Sequence, residues 1–280
     1  MIQLGNFNEL EIVRFTDHGA YLDGGEVGEI LMPKSYVRRE MRPGHRVRVF
    51  VYLDQQERLV GTTETPLACV GDYAYLEVAW VNEHGAFLHW GLMKDLFVPF
   101  SEQKRRMEVG SSYIVYIYID PETRRIVATA KVERFLRTAP RADYYRGRKV
   151  GLLVQQKTPL GFKVIVDNRY MGMLYDDQTY GSYHTGDRLE ATVVTLRPDG
   201  RLDVAEGNIG KGRFRTFAEE LEEELHRVGG FLPYGDLSTP EEIADRFHTS
   251  KKTFKRALGQ LYRERKVELM PQGVRLTEQE

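Results

Sequence analysis

Short runs in which apolar and polar residues alternate dominate most of the chain. Leu10-Glu11-Ile12-Val13-Arg14-Phe15 and Arg46 to Leu53 have the period of half-buried strands, as do Tyr73 to Val81 and Tyr113 to Ile119. Turn residues separate them: Gly24-Gly25, Pro43-Gly44, Asp54-Gln55-Gln56, Val109-Gly110 and Asp120-Pro121-Glu122-Thr123. The pattern repeats. Thr16-Asp17-His18-Gly19-Ala20-Tyr21-Leu22 returns as Asn82-Glu83-His84-Gly85-Ala86-Phe87-Leu88, and the middle run Glu29 to Pro33 returns as Asp95 to Pro99. Arg58-Leu59-Val60-Gly61-Thr62 matches Arg125 to Thr129, with one extra residue in the second turn. A more divergent third copy runs from about Gly147 to Gly210, with Leu160-Gly161-Phe162-Lys163-Val164 at the glycine turn. There Gly172 to Tyr175 takes the middle strand, Thr185-Gly186-Asp187 the entry turn and Pro198-Asp199-Gly200-Arg201 the last hairpin. In this unit glycine is expected to let the backbone bend, and the small alanine to leave a surface open beside the ring.

The period then changes. Phe214, Phe217, Leu221 and Leu225 fall on one helical face that Gly229-Gly230 ends. Thr239, Pro240 and Glu242 form a capping box, and Thr249-Ser250 opens a helix from Lys251 to Lys266 with Phe254, Leu258 and Leu261 on its apolar face. Val267 to Leu276 reads as a hairpin with a Pro-Gln-Gly turn. The predicted fold is multidomain and mainly β: three tandem five-stranded Greek-key barrels, followed by an α/β winged helix-turn-helix. The expected boundaries are 1–65, 66–138, 139–211 and 212–280.

Composition narrows the chemistry. Forty Lys and Arg against forty-one Asp and Glu leave a formal net charge of -1, so a polyanion site must be local. One is visible in the helix from Lys251, where Lys251, Lys252, Lys255, Arg256, Arg263, Arg265 and Lys266 face a single acid, Glu264. The acidic run Glu219 to Glu224 could equally balance them as a solvated face. The lone Cys69 excludes an internal disulfide and a cysteine-cluster zinc site. No Gly-Lys-Ser/Thr loop, nucleophile elbow or paired-histidine motif occurs, so no enzyme, cofactor or metal is expected. Without a signal-peptide pattern or an apolar span of membrane length, the expectation is a soluble, cytoplasmic protein with no membrane contact.

The repeated glycine turn, short middle strand and closing hairpin resemble the RNA-binding domain of ribosomal protein S1, an oligonucleotide-binding (OB) fold barrel. The wider arrangement is similar to the conserved virulence factor B family of bacterial RNA-binding proteins. That likeness is carried by Gly229-Gly230-Phe231-Leu232-Pro233, Ser238 to Ile243 and Ser250 to Tyr262. The resemblance implies RNA-facing residues at His18, Tyr21, Asp54 and Arg58 in the first copy. In the second it implies His84, Phe87, Phe97, Asp120 and Arg125. In the third, Leu160 and Lys163 replace rings while Tyr175 and Arg201 remain, and the first copy has Leu31 at the middle-strand ring. The second copy is therefore the best equipped.

Rings to stack on and cations along a groove are what a single strand of RNA requires, and no catalysis is needed. The same spacing also suits Tyr21, Phe87 and Phe97 as core aromatics. His18 and His84, lacking ligand-spaced neighbours, suit stacking or edge contacts rather than metal or acid/base work. Asp54 and Asp120 open tight turns, a role that outweighs any ligand contact. The expected function is single-stranded RNA binding by a non-catalytic post-transcriptional regulator. The winged helix, through Lys251, Lys252, Lys255 and Arg256, is a further contact, including to duplex nucleic acid. A DNA-binding transcription regulator and a ribosome or RNA-decay adaptor stay open as alternatives.

Overall fold

The structure is a computed structural model that describes residues 1–179, 181–207, 217–247, 249 and 251–277. Phe214, Ser250 and the 211/212 boundary lie outside the described residues. Two compact units are present, Met1–Leu136 and Arg137–Glu280.

The first unit holds two closed barrels. One is built from β1 (Asn6–Thr16), β2 (Gly19–Asp23), β3 (Glu29–Pro33), β4 (Arg46–Leu53) and β5 (Leu59–Thr62). The next comprises β6 (Tyr73–Val81), β7 (Gly85–Leu88), β8 (Leu96–Pro99), β9 (Ser112–Ile119) and β10 (Ile126–Thr129). The second unit holds a third barrel, β11 (Lys149–Thr158), β12 (Gly161–Val166), β13 (Tyr170–Tyr175), β14 (Arg188–Leu196) and β15 (Leu202–Glu206). All three close in the same order, with the third strand pairing in parallel with the fifth and the first antiparallel to the fourth.

The inward positions of each barrel alternate along the strands as the period-2 pattern requires. Ile12, Leu22 and Met32 fill the first interior, Val78, Leu88 and Ile117 the second, and Val154, Val164 and Leu174 the third. The first two barrels also share apolar packing, since Phe50 of β4 meets Trp90 edge-on with centroids 5.7 Å apart.

The turn glycine has a sharper role than flexibility. A β-carbon on Gly85 would lie 2.3 Å from the Val98 carbonyl oxygen and 2.7 Å from the Phe97 ring. A β-carbon would likewise lie 2.1 Å from the Met32 carbonyl oxygen at Gly19 and 2.2 Å from that of Leu174 at Gly161, and both glycines also have left-handed φ, at 148° and 145°. The second strand thus approaches the middle strand more closely than any side chain permits.

The winged helix comprises α1 (Phe217–Arg227), β16 (Phe231–Leu232), α2 (Pro240–Phe247), α3 (Lys251–Arg263), β17 (Val267–Met270) and β18 (Gly273–Leu276). Its core is Leu221, Leu225, Ile243, Phe254, Leu258 and Leu261. The capping box forms as expected: the Glu242 carboxylate accepts from the Thr239 N–H at 2.7 Å, and the Thr239 hydroxyl accepts from the Glu242 N–H at 3.2 Å. Gly229, at φ 83°, closes α1 in a Schellman turn, with the Gly230 N–H donating to the Leu225 carbonyl at 2.7 Å.

Two features depart from the pattern. The basic helix stops at Arg263 rather than Lys266, because Arg265 is left-handed at φ 58° and Lys266 donates back to Leu261 at 3.0 Å. Here an arginine occupies a position where glycine would have marked the end. The short strand β16, which adds a third strand beside the hairpin in the order β16-β18-β17, has too few residues to show a period.

Glu224 ties α1 to α2. Its carboxylate is held down to about 2, chiefly by the Arg227 guanidinium, with burial opposing and Arg246 of α2 adding to the effect. A carboxylate depressed from its ordinary 4.5 contributes stability that is present in full above that value and is lost as pH falls through about 2. Protection factors of the α1 and α2 amides, taken relative to the intrinsic exchange rate at each pH, should therefore fall between these values, and Glu224→Gln should remove that acid-dependent component. A second expectation concerns the barrel turn: Gly85→Ala should destabilise the protein by about 1–3 kcal/mol in urea unfolding, the cost typical of overpacking.

Candidate nucleic-acid interface

The outer face of the second barrel carries three rings in contact. Trp80 stacks on Phe87 with centroids 3.7 Å apart and planes 3° apart, and Phe87 meets Phe97 at 4.9 Å and 36°. Phe87 and Phe97 face outward because their neighbours Ala86, Leu88, Leu96 and Val98 fill the interior.

Trp80 reaches this face through a β-bulge. Counting by two from Leu76 and Val78, both buried, would send Trp80 into the core. The pairing instead slips from Val78↔Leu88 to Trp80↔Phe87, so Ala79 is an extra residue and the indole turns outward, 44% exposed. Its Nε1 donates to Asp95 at 2.9 Å, and the other oxygen of Asp95 lies 3.1 Å from His89 Nδ1. Phe87 is flanked on both sides by rings, so the indole is the surface most open to a further flat group.

The same bulge recurs in the other barrels with different chemistry. Pairing slips after Ile12 and places Arg14 beside Tyr21; its guanidinium lies over that ring at 4.0 Å while forking onto Glu29 at 2.6 and 3.2 Å. In the third barrel the slip after Val154 places Gln156 beside Lys163. Tyr21 is therefore covered by a cation, and the third face has no ring at these positions.

Register also moves Tyr175. Phe87 pairs with Phe97 and Tyr21 with Leu31, but Lys163 pairs with Met173, so Met173 occupies the middle-strand ring position. Tyr175 instead pairs with Gly161, as Pro99 does with Gly85, and its hydroxyl accepts from Arg197. β13 begins earlier than the match from Gly172 implied, and the pairing must be counted from the glycine.

The turn residues are tied locally. His84 is exposed, 3.6 Å from Glu83, and the Asn82 side chain accepts from the His84 and Gly85 N–H groups at 2.8 and 3.1 Å. His18 is likewise exposed, its N–H donating to Thr16 at 3.3 Å. Asp54 and Asp120 act in their hairpins. Asp54 accepts from the Gln56 and Arg58 N–H groups at 2.8 and 3.0 Å, and Asp120 accepts from the Thr123 hydroxyl at 2.6 Å. Although burial alone would raise the Asp54 carboxyl, the bonds from Arg58 and Gln56 hold it below its usual range.

The hairpin arginines have carboxylate partners. Arg58 pairs with Asp54 at 2.7 Å, Arg201 lies 3.5 Å from Asp199, and Arg125 pairs with Glu57 of the first barrel. That last pair spans a groove of about 680 Å³. On the second barrel its walls are Trp80, His84, Phe87 and Phe97, and on the first they are Tyr52, Gln55 and Glu57. Lys94 joins the walls by donating to the Asp54 carbonyl at 2.8 Å; burial lowers its ammonium and pushes the Tyr52 hydroxyl up to about 12. The signal for Trp80 in the sequence was an aromatic residue closing the strand ahead of the repeated turn, while the contributions of Tyr52, Gln55 and Lys94 had none.

On the winged helix, Lys255 pairs with Asp236 at 3.0 Å and Arg256 lies 3.4 Å from Asp177 of the third barrel. Lys251 and Lys252 have no ion-pair partner among the described residues. Lys266 is instead absorbed by Glu222 at 2.8 Å and Glu264 at 3.2 Å. Among the described residues, no three His, Cys, Asp or Glu side chains converge to hold a metal, and no helix is long and apolar enough to cross a membrane.

Comparison with known proteins follows the same division of the chain. The S1 domain model matches residues 4–64 and 70–131, the first two barrels, and a CvfB-like winged helix domain matches residues 219–276. The chain is 27% identical to the uncharacterized protein YitL of Bacillus subtilis, over 92% of this chain and 88% of that one. It is 21% identical to conserved virulence factor B of Staphylococcus saprophyticus, over 98% of this chain and 95% of that one. The same protein of Staphylococcus aureus matches at 21% over 98% and 94%. Among solved structures, a multidomain protein with nucleic acid binding domains from Streptococcus pneumoniae aligns over 98% of both chains at 22% identity, with a TM-score of 0.42. The chain thus carries S1 domains followed by a CvfB-like winged helix domain, both nucleic-acid-binding types, and is similar along almost its whole length to the proteins named conserved virulence factor B.

Proposed function

We propose that this protein binds single-stranded RNA without catalysis and acts in the cytoplasm as a post-transcriptional regulator of gene expression. The observation that carries the reading is the Trp80–Phe87–Phe97 ring cluster on the wall of a groove that also holds Arg125 and His84. Single strands offer unpaired base faces to such a ring, whereas a duplex keeps them stacked inside. The open indole of Trp80 takes a base, and neighbouring cations take the phosphates. The domain types support nucleic acid as the ligand, and the ring geometry is the reason for preferring a single strand.

A second reading has its own support. Lys251 and Lys252 stand at the start of α3, the helix that a winged helix-turn-helix lays against nucleic acid, so this domain is a contact for duplex or structured strands.

Trp80→Ala should weaken binding of a labelled single-stranded RNA by about 5- to 150-fold, the range expected for one lost base stack, with little effect on folding because the indole is a surface ring. Unchanged affinity in the folded variant would remove the proposed site. Raising salt should weaken binding, with a log–log slope of about -0.7 per phosphate neutralised; a flat response would count against phosphate contacts. In competition, single-stranded RNA should displace the probe better than duplex DNA of the same length, and the reverse result would favour the winged helix as the principal site.

A further inference from the structure

The hairpin between β4 and β5 belongs to the first barrel, yet it ends in the groove of the second. Its tip is held firmly. Asp54 accepts two backbone N–H groups of the turn and the Arg58 side chain, and the Asp54 carbonyl accepts from Lys94 of the second barrel. The residue presented from this frame is Glu57, whose carboxylate lies on Arg125.

Conformation does not explain a glutamate there. Glu57 has φ 63°, in the left-handed region where an L side chain is disfavoured. The residue preceding the hairpin arginine is left-handed in every barrel: Arg124 at φ 59° before Arg125, and Gly200 at φ 79° before Arg201. The backbone therefore accepts a glycine or an arginine at this position. What the glutamate alone adds is a negative charge aimed at the cation of the neighbouring barrel.

We infer that Glu57 sets the RNA affinity of the second barrel by occupying Arg125 in place of a phosphate, so that the site is assembled, and partly closed, by the first barrel. The inference rests on the RNA-binding reading above. A guanidinium whose Nη2 is held by a carboxylate must release that donor before it can grip a phosphate with it, since both ligands are oxyanions competing for the same N–H. With side chains 54% and 49% exposed, the pair is weak enough to open, because half-exposed ion pairs are screened by solvent. The carboxylate is thus a built-in competitor whose removal strengthens RNA binding, whereas removal of Arg125 weakens it.

A double-mutant cycle on the full chain separates this from general charge effects. Dissociation constants for a labelled single-stranded RNA would be measured for the wild type, Glu57→Gln, Arg125→Ala and the combination. Glu57→Gln is expected to tighten binding about three- to fivefold, the scale of an exposed ion pair, and to have no effect once Arg125 is alanine. Glu57→Gly, which adopts the left-handed conformation without strain, should tighten binding equally and guards against a folding defect in the glutamine variant. An equal gain with and without Arg125 would mean only that one repelling charge had been removed, and would overturn the inference. Unchanged or weaker binding in both Glu57 variants would overturn it too. If the wild type binds RNA and Trp80→Ala weakens it while the cycle is additive, this inference alone falls. If the wild type binds no RNA, the RNA-binding reading falls with it.

Discussion

In all three barrels the middle-strand carbonyl approaches the first residue of the second strand so closely that a β-carbon would sit 2.1–2.3 Å from it. That approach is what the rest of each barrel depends on. It brings the second and third strands together at the turn, lets the third strand reach across to pair in parallel with the fifth, and so closes a five-stranded sheet around a small interior. With the sheet closed, Ala86 and Leu88 point inward and Phe87 is left on the outside, beside Phe97. The glycine thereby determines both the core and the side of the barrel on which chemistry appears.

Much of this was legible in the chain. Strand periods, the glycine turns and the capping box at Thr239 and Glu242 are local, and local rules read them. The features that escaped are those in which a local rule was broken or a partner was distant. Trp80 is in phase with Leu76 and Val78, and only the extra residue of the bulge turns it outward. Arg265 ends its helix in a left-handed conformation that arginine does not advertise. Tyr175 ends the middle strand as expected, but pairing counted from Gly161 puts Met173, not Tyr175, opposite Lys163 at the ring position. The Glu57–Arg125 pair joins residues 68 apart in the chain and belongs to two repeats, so no repeat comparison could show it.

The first two barrels share more than a linker. Phe50 packs against Trp90, Lys94 donates to the Asp54 carbonyl, and the groove has walls from both. Apolar packing of this kind positions one barrel's hairpin over the other barrel's rings, so the repeat unit and the binding unit are not the same object. The chain repeats a five-stranded domain, but the groove beside the stacked rings is lined by a pair of them.

The bulge in the first strand has a broader consequence. It takes a residue that alternation would assign to the interior and places it on the rim, at Arg14, Trp80 and Gln156 in turn. Because that residue contributes no volume to the core, its identity is uncoupled from the packing that keeps the barrel closed. A guanidinium, an indole and an amide can therefore stand at one structural address on a common frame. Duplicating the frame multiplies surfaces rather than copies, and each barrel offers a different chemical group at the same address.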